Sequence, residues 1–134
     1  MTRRSFLKNS FWLILLGIGA YPLYEFVVSK RIHPPIKVHI HKHLLPGQYI
    51  GYPKFYLFET KNGPIAVSRR CTHLGCTVNY EPNLKMFICP CHQSRFMWDG
   101  KYISGPANGK NLAKFPVKVL KNNEGYVVFV PRGA

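Results

Sequence analysis

Cys71-Thr72-His73-Leu74-Gly75-Cys76 and Cys89-Pro90-Cys91-His92-Gln93-Ser94 are the two stretches on which the reading of this chain turns. Each brings a Cys, a His and one further Cys, and 15 residues separate His73 from Cys89. All 4 cysteines of the 134-residue chain fall between Cys71 and Cys91. Cysteines spread along a chain suggest the disulfides of a secreted domain, whereas cysteines packed together with histidines suggest a metal site. Thiolates and imidazoles at short spacing on two loops can enclose a soft-metal centre. Tetrahedral zinc, which two Cys and two His satisfy, is the rival. A single residue between Cys71 and His73 is an unusual gap for a zinc knuckle. It suits a binuclear centre in which each metal ion is served by both loops.

Outward from these boxes, short alternating runs sit between turn residues, and from Ile36 onward no window of helical length shows a period of 3.6. The pattern predicts strands at Ile36–Ile40, Gln48–Tyr52, Phe55–Thr60, Ile65–Ser68, Met86–Ile88, Phe96–Trp98, Lys101–Ile103, Phe115–Leu120 and Tyr126–Val130. Lys61-Asn62-Gly63, Asp99-Gly100 and Asn122-Asn123-Glu124-Gly125 suit hairpin turns. The expectation is an all-β domain over residues 36–134, a small antiparallel sandwich or barrel. Phe96, Trp98, Tyr102 and Phe115 are its expected core aromatics. His39, His41 and His43 alternate and could share a strand face. With no acidic or Cys partner nearby in sequence, a polar face is the simpler reading.

Residues 1–35 are of another kind. Arg3-Arg4-Ser5-Phe6-Leu7-Lys8 precedes an apolar run from Phe11 to Val28, 18 residues or about 27 Å as a helix, against about 30 Å of hydrocarbon. Paired arginines ahead of such a run resemble a twin-arginine export signal; an ordinary basic Sec signal is the rival. Pro22 and Glu25 weaken the second half of the run, and no Ala-x-Ala site follows, so an uncleaved anchor is expected. Arg3, Arg4 and Lys8 on one side and Lys30 and Arg31 on the other leave orientation undecided by charge. The export motif decides it, placing the β domain outside. Ser29-Lys30-Arg31-Ile32-His33-Pro34-Pro35 reads as an extended tether.

Composition agrees with a strand-and-turn protein: aromatics make up 14% of residues, with Gly and Pro at 11 each. The 19 Lys and Arg against 5 Asp and Glu give a formal charge of +14, which favours an anionic partner. The cations form no block of five and show no regular aromatic interleaving, so the expectation is no nucleic-acid partner.

The two boxes resemble, nearly residue for residue, those of the Rieske iron–sulfur subunits of cytochrome bc-type (quinol:cytochrome c reductase) complexes. The resemblance runs from about Ile65 to Val130, through Gly105-Pro106-Ala107, which is similar to the family's proline loop, and Phe115-Pro116-Val117. It implies a Rieske-type β-sandwich with cluster-binding loops at one end, joined to one N-terminal membrane-anchor helix. It implies one 2Fe–2S cluster, with Cys71 and Cys89 on one iron and His73 and His92 on the other. It implies a Cys76–Cys91 disulfide tying the loops together; the chain-entropy model gives such a loop about 3 kcal/mol. Rieske ferredoxins and ring-hydroxylating oxygenases resemble the boxes but lack that disulfide. Ser94 matches a Ser that hydrogen-bonds a cluster sulfur. Leu74 and Pro90 would flank the cluster and limit water.

Two neutral imidazoles and two thiolates leave an oxidised 2Fe–2S core without net charge, which raises its potential into a range of about −150 to +300 mV. The imidazoles can also lose a proton, so electron and proton uptake are linked. The resemblance thus implies one-electron, proton-coupled oxidation of quinol, with His92, or else His73, contacting the quinol. Its implied partners are a cytochrome b subunit and a cytochrome c-type haem, in a hetero-oligomeric complex, dimeric in some arrangements, in the cytoplasmic (inner) membrane of a prokaryote. The chain is single-pass with its domain on the periplasmic face. It is catalytic only within the complex. The small Rieske subunit of a periplasmic oxidoreductase such as arsenite oxidase also resembles this layout and is the alternative function; a zinc-binding module is a third.

Two departures from the family stand out. Gln93 replaces a usual Gly, which predicts a looser second loop. Phe96 replaces the Tyr of high-potential members, which predicts a lower potential, matched to menaquinone more than ubiquinone.

Overall fold

The computed structural model describes residues 3–29, 34–121 and 124–134. The chain divides into two compact units at Pro34/Pro35. Residues 30–33 of the tether and Asn122-Asn123 of the last turn lie outside the described residues, as do the side chains of Arg3 and Arg4.

The first unit holds helix α1, Arg3–Ser29, with Pro22 inside it. Its stretch Ser5–Ser29 contains an 18-residue window with a mean hydropathy of 1.7 and is long and apolar enough to cross a membrane. At 1.5 Å per residue those 25 residues reach about 37 Å, so the helix is longer than the apolar run alone suggested. None of its described side chains is buried.

The second unit is all antiparallel strand: β1 Ile36–Ile40, β2 Tyr49–Gly51, β3 Phe55–Thr60, β4 Gly63–Ser68, β5 Asn79–Glu81, β6 Met86–Ile88, β7 Arg95–Met97, β8 Tyr102–Ser104, β9 Lys114–Phe115, β10 Val117–Val119 and β11 Tyr126–Val130. They form three sheets in the orders β1-β11-β10, β2-β3-β4-β9 and β5-β6-β7-β8. Strand alternation gives the middle sheet two apolar faces. On one face, Phe55, Leu57 and Ala66 pack with Ile40, Val128 and Val130 of the first sheet. On the other, Phe58 and Val67 pack with Phe87 and Phe96 of the third sheet and with Cys71 and Cys89. The cysteine loops are thereby rooted in a core. Phe87 has no exposed surface, and its truncation to Ala would cost about 3–5 kcal/mol.

The predicted strand Phe115–Leu120 is broken. Pro116 has no N–H to donate, so the chain changes partner there: Phe115 pairs with Ala66 in the middle sheet and Val117 with Val128 in the first. Strand β5 went unpredicted because Asn79 and Glu81 are residue types depleted in strands; its pairing with β6 makes it a strand.

Candidate metal centre

Two loops hang from the third sheet and the end of β4, and they are built alike. In the first, the Cys71 N–H donates to the Cys76 carbonyl at 2.7 Å and the Gly75 N–H to the Cys71 carbonyl at 2.9 Å. In the second, the Cys89 N–H donates to the Ser94 carbonyl at 2.9 Å and the Gln93 N–H to the Cys89 carbonyl at 3.0 Å. Both turns need a left-handed residue at the same place, Gly75 with φ 78° and Gln93 with φ 59°. The second loop is therefore not loosened by Gln93, as its sequence suggested; the hydrogen-bonded turn is kept and the side chain tolerates the strained backbone.

These turns bring together the residues that the sequence singled out. Cys71 and Cys89 are buried free thiols, and their side chains hydrogen-bond each other. The His73 and His92 rings lie 4.9 Å apart and edge to face, His73 half-buried and His92 exposed. Cys76 and Cys91 are joined as a disulfide across the loops, with Cα atoms 6.6 Å apart. Ser94 is fully buried; its Oγ accepts the Ala107 N–H at 3.3 Å and its side chain also bonds Cys71. Burial pushes the Cys71 thiol above its ordinary value, with the adjacent Cys89 adding to the rise; the His73 backbone and the Ser94 hydroxyl work the other way.

The sulfurs of Cys76, Cys89 and Cys91 lie within 4.8 Å of one another, a cysteine cluster able to hold metal by proximity alone. Two of the three are spent in the disulfide, so the free thiols to weigh are Cys89 and its neighbour Cys71. The donor set also fits a metal group on another count. His73 Nδ1 is buried without a hydrogen-bond partner, a costly state that coordination relieves.

The third loop closes the site. Gly105 has φ 101°, and a Cβ there would sit 2.6 Å from Ser94 Cα, so the backbone passes directly over the second loop. Two ties in this region escaped the sequence reading. The Thr72 hydroxyl donates to the Lys110 carbonyl at 2.9 Å, and the Tyr102 hydroxyl to the Gly105 carbonyl at 2.6 Å. Tyr102, expected in the core, is half-buried and packs against it beside Trp98, while its hydroxyl serves the loop. No spacing rule links residues 38 apart, so only the fold reveals the first of these ties. His39 and His41 stack exposed, 6.4 Å apart, away from these loops in sequence.

Fold and site define a small all-β domain with two Cys/His loops built on the same hydrogen-bonded turn. The family described as the Rieske 2Fe-2S domain matches residues 37–121. The cytochrome b6-f complex iron-sulfur subunit of Chlorobaculum tepidum is 35% identical over 136 residues, covering 87% of this chain and 70% of that one. The chloroplastic cytochrome b6-f complex iron-sulfur subunit of Pisum sativum is 43% identical over 84 residues, covering 60% of this chain and 35% of that one. The chain thus spans much less than two thirds of the pea relative. The quaternary ammonium Rieske monooxygenase CntA superposes with a TM-score of 0.54 at 16% identity over 75% of this chain and 34% of that one, a likeness of fold alone. The chain belongs to the Rieske family: it is a Rieske-type iron–sulfur subunit, homologous to cytochrome b6-f Rieske proteins, and its domain serves electron transfer.

Proposed function

We propose that this chain is the iron–sulfur subunit of a membrane complex that oxidises quinol and passes the electrons to a cytochrome c-type haem. The observation that carries the reading is the partnerless, buried Nδ1 of His73 in an imidazole pair beside two free buried thiols. Cys71 and Cys89 would hold one iron, and His73 and His92 the other. When bound, the 2Fe–2S cluster supplies one-electron chemistry at a potential raised by imidazole ligation. The chain's own residues set how a quinol is met. His92 is exposed, so the ring nitrogen it does not give to iron can accept a hydrogen bond from a quinol hydroxyl and take its proton. His73, half-buried, is the second candidate for that contact. Exposed Leu74 and Pro90 offer an apolar rim that excludes water from that bond. Ser94 holds the second loop against the third and donates toward the Cys71 sulfur.

In this reading residues 1–35 are the twin-arginine signal, anchor helix and tether, and residues 36–134 the Rieske domain. The helix crosses the cytoplasmic membrane of a prokaryote once, leaving the domain on the periplasmic face beside a cytochrome b partner. Purification of the tagged full chain from detergent-solubilised membranes tests this. The expected preparation contains b-type haem and reduces a c-type cytochrome in the presence of quinol. Co-purification of a molybdenum subunit, without b-type haem, would overturn it.

A further inference from the structure

Arg70 stands at the base of the first loop, immediately before Cys71, and its backbone is fixed there. Its N–H donates to Ser68 Oγ at 3.1 Å, and it pairs with Thr77 in an isolated antiparallel bridge that closes the loop. The side chain is exposed but committed. Its Nε, Nη2 and Cζ lie 3.1, 3.5 and 3.7 Å from the place of a Cβ on Gly75. The guanidinium thus lies across the turn in which the Gly75 N–H donates to the Cys71 carbonyl. Its Nη1 donates to the Gly133 carbonyl. That segment is anchored in turn: the Ala134 N–H donates to the Pro131 carbonyl at 3.2 Å, and Ala134 packs against the core group that includes Phe115 and Val130. Cys71 belongs to the other core group, with Phe87 and Phe96. Among the described residues no other hydrogen bond joins residues 71–77 to residues 131–134. Both line an open cavity of about 410 Å³, so packing does not replace the tie. Nor does a carboxylate pair with Arg70: Asp99 with Lys101 is the one salt bridge among the described residues.

We propose that Arg70 is a positioning residue: it clamps the first Cys/His loop to the segment Pro131–Ala134, and its unpaired charge raises the potential of the cluster. This rests on the electron-carrier reading and adds a determinant of the potential that lies outside the ligand set. A fixed cation next to Cys71 favours the reduced, more negative state of the centre. Solvent screens an exposed guanidinium, so the charge acts with the modest strength of a surface pair. The clamp acts separately, by holding the turn that carries Cys71 and His73 in one geometry.

The test uses the full chain in detergent micelles and two readouts. One is the midpoint potential of the loaded protein; the other is hydrogen exchange of residues 71–77, followed by mass spectrometry. Arg70→Gln is expected to shift the reduction equilibrium about threefold toward the oxidised form at low salt, and the shift shrinks as salt is raised. Arg70→Lys keeps the charge and restores the potential. Lys118→Gln, an equal loss of charge on the first sheet, leaves the potential unchanged. Exchange of residues 71–77 quickens about fivefold in Arg70→Gln, the effect of one lost hydrogen bond. Gly133→Val strains a residue whose φ is 95° and so displaces the acceptor carbonyl. It quickens exchange by as much, and the double variant goes no further. An unchanged potential in Arg70→Gln, an equal drop in Lys118→Gln, or a drop that Arg70→Lys fails to restore overturns the inference. So do additive effects of Arg70→Gln and Gly133→Val on exchange. A wild-type preparation without an iron–sulfur signal would instead indict the electron-carrier reading, while exchange still decides the clamp.

Discussion

Gln93 occupies in the second cluster loop the place that Gly75 takes in the first. Each donates its N–H to the carbonyl of the Cys four residues earlier, and each has a left-handed backbone. For Gly75 this costs little. For Gln93, Cβ crowding is worth about 1–2 kcal/mol, partly offset by the lower unfolded-state entropy of a non-glycine residue. Gln93→Gly is therefore expected to raise stability, by up to about 1 kcal/mol, in denaturant unfolding of the loaded protein. A loss of stability would show that the Gln side chain makes compensating contacts.

Ser94 is the joint between the second and third loops. Ser94→Ala strands the Ala107 N–H in a buried setting and removes a donor from the Cys71 sulfur. The expected cost is about 1–3 kcal/mol in thermal or denaturant unfolding. A redox titration of the same variant should give a lower potential, because a sulfur that loses a hydrogen bond holds negative charge less well. An unchanged potential would confine Ser94 to a structural part.

Phe96 is fully buried in the same packed group as Cys71 and Cys89. A hydroxyl introduced by Phe96→Tyr can reach a sulfur only from that buried position. One hydrogen bond stronger by about 1 kcal/mol in the reduced state corresponds to about 40 mV for a one-electron couple, so a rise of that order is expected. No rise would remove the hypothesis that Phe96 lowers the potential of this subunit toward the menaquinone range.

Tyr126 gives the sandwich a dependence on alkali. Its hydroxyl donates to Glu59 Oε2 at 2.7 Å and accepts the Leu44 N–H at 3.3 Å. Burial, joined by the Glu59 hydrogen bond, raises its pKa above the ordinary 10.0. The folded state thus holds the phenolic proton more tightly than the unfolded chain. Its contribution is complete below pH 10.0 and is lost as pH rises through the raised folded value. Unfolding followed across alkaline pH should show this loss in the wild type and its absence in Tyr126→Phe. The variant should be about 1–2 kcal/mol less stable near neutrality.

The site was legible because its chemistry is local. Cys71, His73, Cys89 and His92 stand out by residue type and spacing on two loops, and the fold brings those loops together. The strands from Phe55 to Ser68 and from Tyr126 to Val130 were legible because alternation extends over five or six residues. Asn79–Glu81 was not, since Asn and Glu are depleted in strands and the segment becomes one only by pairing with Met86–Ile88. Nor were the closures over the site: Thr72 meets Lys110, and Ser94 meets Ala107, through loops whose approach depends on three sheets packing first. The Pro116 break was written in the sequence, as a residue unable to donate in a ladder, but its consequence is an exchange of sheets that only the topology displays.

The central claim is that two imidazoles, from His73 and His92, complete one iron of a binuclear centre. Pulsed electron paramagnetic resonance of the reduced full chain, prepared with isotope-labelled histidine, tests it most directly. The account predicts coupling to two inequivalent histidine nitrogens in a single 2Fe–2S signal, with one coupling lost on His73→Ala. A signal without nitrogen coupling, arising from sulfur ligands alone, or metal analysis giving one mononuclear ion per chain, would contradict it.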